Sequence, residues 1–271
     1  MKHLTKFDSI QEYNEYINSP NCAMPNVTYL VSSDRYMYAS ETRVVVKVDI
    51  PQSYFDGSDT ATLPIVGFQS EPERGTRSNG TYFTDSFSNV EIDGEDQLGV
   101  PTTYTFTTAG EHILKYTLAD RTQLKPNALV GCLASEIYLP HGLVTIGEGS
   151  LSVGNLTDNG EGTVKCNIPI TVKSLGSLPP FVSDVIIPEN VENIDGFGVL
   201  PNSFTCLAKV PPVLGSLSME RHQDGIIFVP EESVDIYRTA PVWSDYSDYI
   251  WQIGYDGPVN PPQIEEPSIQ R

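Results

Sequence analysis

The side chains able to do chemistry are scattered along this chain rather than gathered. Its four histidines, His3, His112, His141 and His222, stand alone, with no i, i+4 pair and no H-E-x-x-H to hold zinc on one helix face. No G-x-S-x-G nucleophile turn, Walker A loop or G-x-G-x-x-G occurs. Cys22, Cys132, Cys166 and Cys206 are too widely spaced for a zinc pattern, and the last three sit in apolar runs that read as buried free thiols. The acidic run Glu91-Ile92-Asp93-Gly94-Glu95-Asp96 lacks the ligand spacing of a calcium loop and reads as a solvated turn. Glycoside hydrolysis needs only two carboxylates converging from distant positions, and nothing nominates such a pair. Near the end Tyr237, Trp243, Tyr246, Tyr249 and Trp251 form a dense aromatic group. Such a group either stacks on a sugar or packs as the end of a core, and the packing role is preferred. No catalytic, cofactor or metal site is expected.

Charge narrows the function classes further. The chain has 271 residues, with 35 acids against 16 bases and a net charge of −19. Nucleic-acid binding needs a basic footprint, so it is not expected, and docking onto a less acidic partner suits the charge better. No stretch approaches the length of a membrane span, and Met1–Asp8 turns polar without an apolar export region, so neither membrane insertion nor export is expected.

The elements that would carry any surface are strands. With 21 Gly and 21 Pro and few helical patterns, the composition is that of a turn-rich, mainly β chain. Arg43–Ile50 is a valine-rich strand signal, Leu63–Phe68 and Tyr82–Ile92 are weaker ones, and residues 42–118 are expected to form a small β-sandwich-like domain. Residues 4–18 read as a short helix, with Asp8 or Ser9 as its cap and Ile10, Tyr13 and Ile17 at helical spacing; two strands, Val27–Val31 and Arg35–Ala39, follow as a hairpin. Residues 254–271, with Pro258, Pro261, Pro262 and Pro267, read as an extended acidic tail.

The second half repeats. Apolar runs close on Pro140, Pro169, Pro188, Pro211 and Pro230, at steps of 29, 19, 23 and 19 residues. Clusters ending at Gly147, Gly176 and Gly196 follow three of these prolines. Proline cannot donate to a sheet ladder and so ends each strand, and the glycines are expected to supply positive φ where the chain reverses. A period near two dozen points to units that bury their apolar faces only by stacking, with Ile146, Leu175, Ile194 and Val210 as the repeat core; an ordinary β-sandwich is the alternative.

Two resemblances follow from these residues. Ile137–Gly147 and Val185–Gly196 resemble the I-x-I-P-x-x-V-x-x-I-G unit of Bacteroides surface-antigen-type leucine-rich repeats. Tyr104–Leu118 resembles the strand pair that precedes such repeats, and Phe228–Arg238 with Trp243–Ile250 resembles their closing cap. The likeness covers about 104–253, and residues 148–167 fit it poorly. Leu4, Lys6, Phe7, Asp8, Glu12, Tyr13, Asn14, Tyr16 and Pro25–Tyr29 resemble a short module that opens structural proteins of Bacteroidetes phages, crAss-like phages among them. Together the resemblances imply four segments: an anchoring module at 1–41, the sandwich-like domain at 42–118, degenerate repeats with a cap at 119–253, and the tail. Phe7, Ile10, Tyr13, Tyr16, Ile17, Pro25, Val27 and Tyr29 would form the anchoring interface. The function implied is that of a virion structural protein, preferably a head-associated fibre or decoration protein. A tail fibre or an adhesin-like protein binding host protein or glycan is the alternative. The partners implied are other virion proteins and further copies of the chain, as a trimer, with a host-surface ligand open.

Overall fold

The alternating valines of Arg43–Ile50 place Val44, Val46, Val48 and Ile50 in the core, and this strand organises the first half of the molecule. The computed structural model describes residues 4–7, 28–31, 35–37, 43–55, 57–70, 80–154, 164–176, 185–195, 203–215 and 226–255. Among these the protein is mainly β, with one short α-helix at Val234–Thr239. Arg43–Ile50 lies at the centre of a six-stranded sheet, antiparallel to Gly110–Leu118 on one side and to Glu136–Tyr138 on the other. Phe87–Ile92 and Glu95–Asp96 extend it past Gly110–Leu118, and Lys165–Asn167 extends it past Glu136–Tyr138. Smaller antiparallel pairs, Ala61–Pro64 with Thr103–Phe106 and Gly67–Ser70 with Gly80–Phe83, complete this half. The Tyr116 hydroxyl donates to the Ile65 carbonyl at 2.6 Å, a buried bond between the large sheet and the segment joining these pairs.

Several expectations change at this level. Leu4–Phe7 is a strand, parallel to Thr28–Val31, not the start of a helix. The capping residues Asp8 and Ser9 come after it, and residues ahead of a cap are extended; positions 8–18 lie outside the described residues. The hairpin expectation corresponds to Thr28–Val31 antiparallel to Arg35–Met37. Leu63–Phe68 is two strands broken at Ile65-Val66, and Tyr82–Ile92 is two strands broken at Thr84-Asp85-Ser86. Thr103–Phe106 and Gly110–Leu118 both exist but do not pair with each other; each pairs with an earlier strand.

In the second half the chain alternates between ladders. Gln123–Leu124, Thr145–Ile146, Ser174–Leu175, Asn193–Ile194 and Val213–Leu214 form a five-stranded parallel sheet of two-residue strands. Between these visits the chain contributes Glu136–Tyr138 and Lys165–Asn167 to the large sheet. It then contributes Val185–Ile187, Ser203–Cys206, Ile226–Val229 and Ile250–Gln252 to a four-stranded parallel sheet. Antiparallel pairing of Glu136–Tyr138 with Arg43–Ile50 carries one sheet across position 118. A single apolar core runs through both halves.

The prolines mark the same point of successive turns. The carbonyls of Pro140, Pro169 and Pro188 accept the N–H three residues on, from Leu143, Val172 and Val191. Those three side chains are buried, as are Ile146, Leu175 and Ile194 three positions further. Leu124, Ile146, Leu175, Ile194 and Leu214 stand in register along the five-stranded ladder. Val210 is not in this row. It is 76% exposed, because the strand of its apolar run ends at Cys206 and the chain bends at Lys209-Val210 before Leu214 takes the inward position.

The repeat glycines also act by a different cause from the one expected. Neither Gly147 nor Gly176 has positive φ. A Cβ at Gly147 would fall on the Lys125–Pro126 backbone, at Gly176 on Gly147–Glu148, and at Gly215 on Asp195, each far inside van der Waals contact. Glycine is required because each turn lies directly against the backbone of the turn before it. Gly196 lies outside the described residues.

Candidate functional site

Among the described residues no group of three or more His, Cys, Asp or Glu side chains could hold a metal ion. The polar chemistry that does converge is structural. His112 Nδ1 meets Asp93 Oδ2 at 2.7 Å and Nε2 meets the Thr108 carbonyl at 2.9 Å, so both ring nitrogens have a protein partner. Asp93, the second carboxylate of the acidic run, also accepts the Ile113 N–H at 2.8 Å. Glu91 receives Lys115 at 2.8 Å and Arg43 at 2.9 Å, and these cations, Lys115 foremost, hold its carboxyl below the usual range. Cys132, Cys166 and Cys206 are free thiols. Burial pushes Cys132 and Cys206 up and Cys166 up to about 12, which keeps them out of thiolate chemistry. His141 is exposed at its turn.

The C-terminal aromatic group divides in two. Tyr237 and Trp243 are fully buried and meet edge to face at 4.9 Å. Trp243 donates its indole N–H to the Pro212 carbonyl at 2.8 Å, and the Tyr237 hydroxyl reaches the Ala208 carbonyl at 2.8 Å. These bonds satisfy backbone acceptors in the segment between Ser203–Cys206 and Val213–Leu214, so the pair packs the C-terminal segment onto the last of the two-residue strands. Arg238 donates to the Ile250 carbonyl, in the other ladder, at 2.8 Å. Trp251 stays half-buried, stacked on Tyr255 at 4.3 Å, with the Arg238 guanidinium 5.7 Å from its ring centre. Around them lies a cleft of about 280 Å³ lined by Glu231, Glu232, Val234, Asp235, Arg238, Trp251, Gln252 and Tyr255.

Two surfaces can therefore meet a partner. One is the outward row of the four-stranded sheet, where Ile186, Thr205, Phe228 and Trp251 stand in register and Ile186 is 43% exposed. The other is the acidic cleft beside Trp251. Of the expected anchoring residues, Phe7 and Tyr29 belong to paired strands, and Ile10, Tyr13, Tyr16, Ile17, Pro25 and Val27 lie outside the described residues. Of the expected repeat core, Ile146, Leu175 and Ile194 come together and Val210 does not. Leu214 was missed; stepping from Ile194 by the spacing that separates it from Leu175 falls one residue short, on exposed Val213. No helix of the described residues is long and apolar enough to cross a membrane. Compared with protein-family models, with curated proteins and with solved structures, the chain matches none.

Proposed function

We propose that this chain is a non-enzymatic structural protein of a phage virion, a head-associated fibre or decoration protein attached through residues 1–41. In this reading residues 119–253 are a degenerate leucine-rich-repeat solenoid with a C-terminal cap. The supporting observation is the register of Leu124, Ile146, Leu175, Ile194 and Leu214 along a ladder of two-residue parallel strands. Units that bury their apolar side only against a neighbour make a scaffold that presents surface. The likeness of the first 41 residues to a phage module supplies the attachment point, and the net charge of −19 favours protein over nucleic-acid partners. The partners are capsid or other virion proteins, with further copies of the chain, as a trimer. No cofactor is required.

A tail-fibre placement or a host-ligand adhesin is the competing reading, and the cleft beside Trp251 is the observation that favours it. Deletion of residues 1–40 separates the possibilities. Incorporation into particles should be lost while the remaining chain keeps its melting temperature. Normal incorporation of the truncated chain would overturn the anchoring, and absence of the full chain from purified particles by mass spectrometry would overturn the virion placement.

A further inference from the structure

Leu98 is 93% exposed, more than any other large apolar side chain among the described residues. Its backbone has φ of 54°, in the left-handed region that a leucine disfavours. The loop does not drift into this conformation. The Asp96 carboxylate accepts the Leu98 N–H at 2.7 Å and the Asn89 amide at 3.1 Å, and the Asn89 amide oxygen accepts the Gly99 N–H at 2.8 Å. Backbone bonds close the loop on both sides, Gln97 N–H to the Val90 carbonyl and Val90 N–H to the Gly99 carbonyl, each at 2.9 Å. A fixed loop thus holds one apolar side chain in water, in a conformation that asparagine or glycine adopts more easily. Strain of this kind persists where the surrounding structure imposes it, and it gathers at sites that engage a ligand.

The exposed charges beside it are acidic. Asp93, Glu95 and Asp96 are exposed next to the loop, and the nearby cations Arg43 and Lys115 are both bridged to Glu91, the strand partner of Asp96. An apolar centre with a polar rim is the layout of a protein–protein contact. We infer that Leu98 is a docking knob that inserts into an apolar socket, rimmed by lysine or arginine, on another virion protein. This rests on the virion reading above and adds to the attachment through residues 1–41 a second contact of stated chemistry. A second copy of this chain is a poor occupant, since its rim would repel the same charge.

Leu98→Asn tests the inference, because asparagine tolerates left-handed φ and so removes the knob while relieving the loop. Purified full-length wild type and L98N are compared in melting temperature and in rebinding to particles stripped of the protein. L98N should melt about 1–3 °C higher and rebind about tenfold or more weakly. Glu95→Lys should slow rebinding at low salt and leave it unchanged at high salt. Equal rebinding by L98N, with wild type bound, overturns the knob and leaves the virion reading intact. A melting temperature at or below that of the wild type removes the strain argument and the inference with it. Failure of the wild type itself to rebind overturns the virion reading, and the knob falls with its partner.

Discussion

Gly176→Ala probes whether the turns of the second half truly stack backbone on backbone. The added methyl would fall on the Glu148 amide and the Gly147 carbonyl carbon, and neither is a side chain that can rotate away. The turns must part, and the first casualty is the bond from Gly176 N–H to the Ile146 carbonyl, now 2.6 Å. Overpacking of this kind costs about 1–3 kcal/mol, and a weakened ladder bond adds up to about 1 kcal/mol. Against this, alanine restricts the unfolded chain and returns about 0.4–1 kcal/mol. The net loss is about 1–3 kcal/mol, or a melting temperature lower by about 3–9 °C for a chain of this size. Gly94→Ala is the control: Gly94 has φ of 91° with open space around it, so its cost is torsional alone, about 1 kcal/mol. Differential scanning fluorimetry of both variants against the wild type reads the difference. If G176A melts within a degree of the wild type, or no lower than G94A, the close approach of turns is wrong.

Two further outcomes are expected. Ile194→Asp places a carboxylate at a fully buried position of the five-stranded ladder, and a loss of more than about 4 kcal/mol should unfold the second half; circular dichroism and melting indistinguishable from the wild type would refute the register. Glu91 has a folded pKa below its unfolded value, so its contribution is present above about pH 4.5 and is lost as pH falls through the lowered folded value. Glu91→Gln should therefore lower stability at neutral pH by about 1 kcal/mol or less, given the partial exposure of the pair, and the gap to wild type should close in acid denaturation. A gap that widens in acid would refute the assignment.

Much of the fold was legible because its signals are local. Arg43–Ile50 was bounded correctly by valine alternation, since one face of that strand is wholly buried. Pro140, Pro169 and Pro188 marked strand ends because a missing N–H acts wherever the residue sits. The spacing from these prolines located Ile146, Leu175 and Ile194, which do share a ladder. The split of the aromatic group was not legible. Tyr237, Trp243 and Trp251 carry similar local signals, yet two are sealed in the core and the third borders a cleft. Val210 sits in as apolar a run as Ile194 and still faces water.

By itself the sequence determined the mainly β class, the proline-punctuated turns and the absence of any recognised catalytic motif, since each follows from residue types within a few positions. Tertiary structure decided what lies between distant segments. It set the pairing of Glu136–Tyr138 with Arg43–Ile50, which joins the two halves in one sheet. It set the cause of the repeat glycines, whose need for space comes from a turn some twenty to thirty residues earlier rather than from their own φ. It also set the exposure of Leu98, where Asn89 and Asp96 bind the loop from an adjoining strand and hold outward a side chain that its own chemistry would bury. Local propensity acts through neighbours in the chain, whereas these features arise from backbone and side-chain groups that only folding brings within contact.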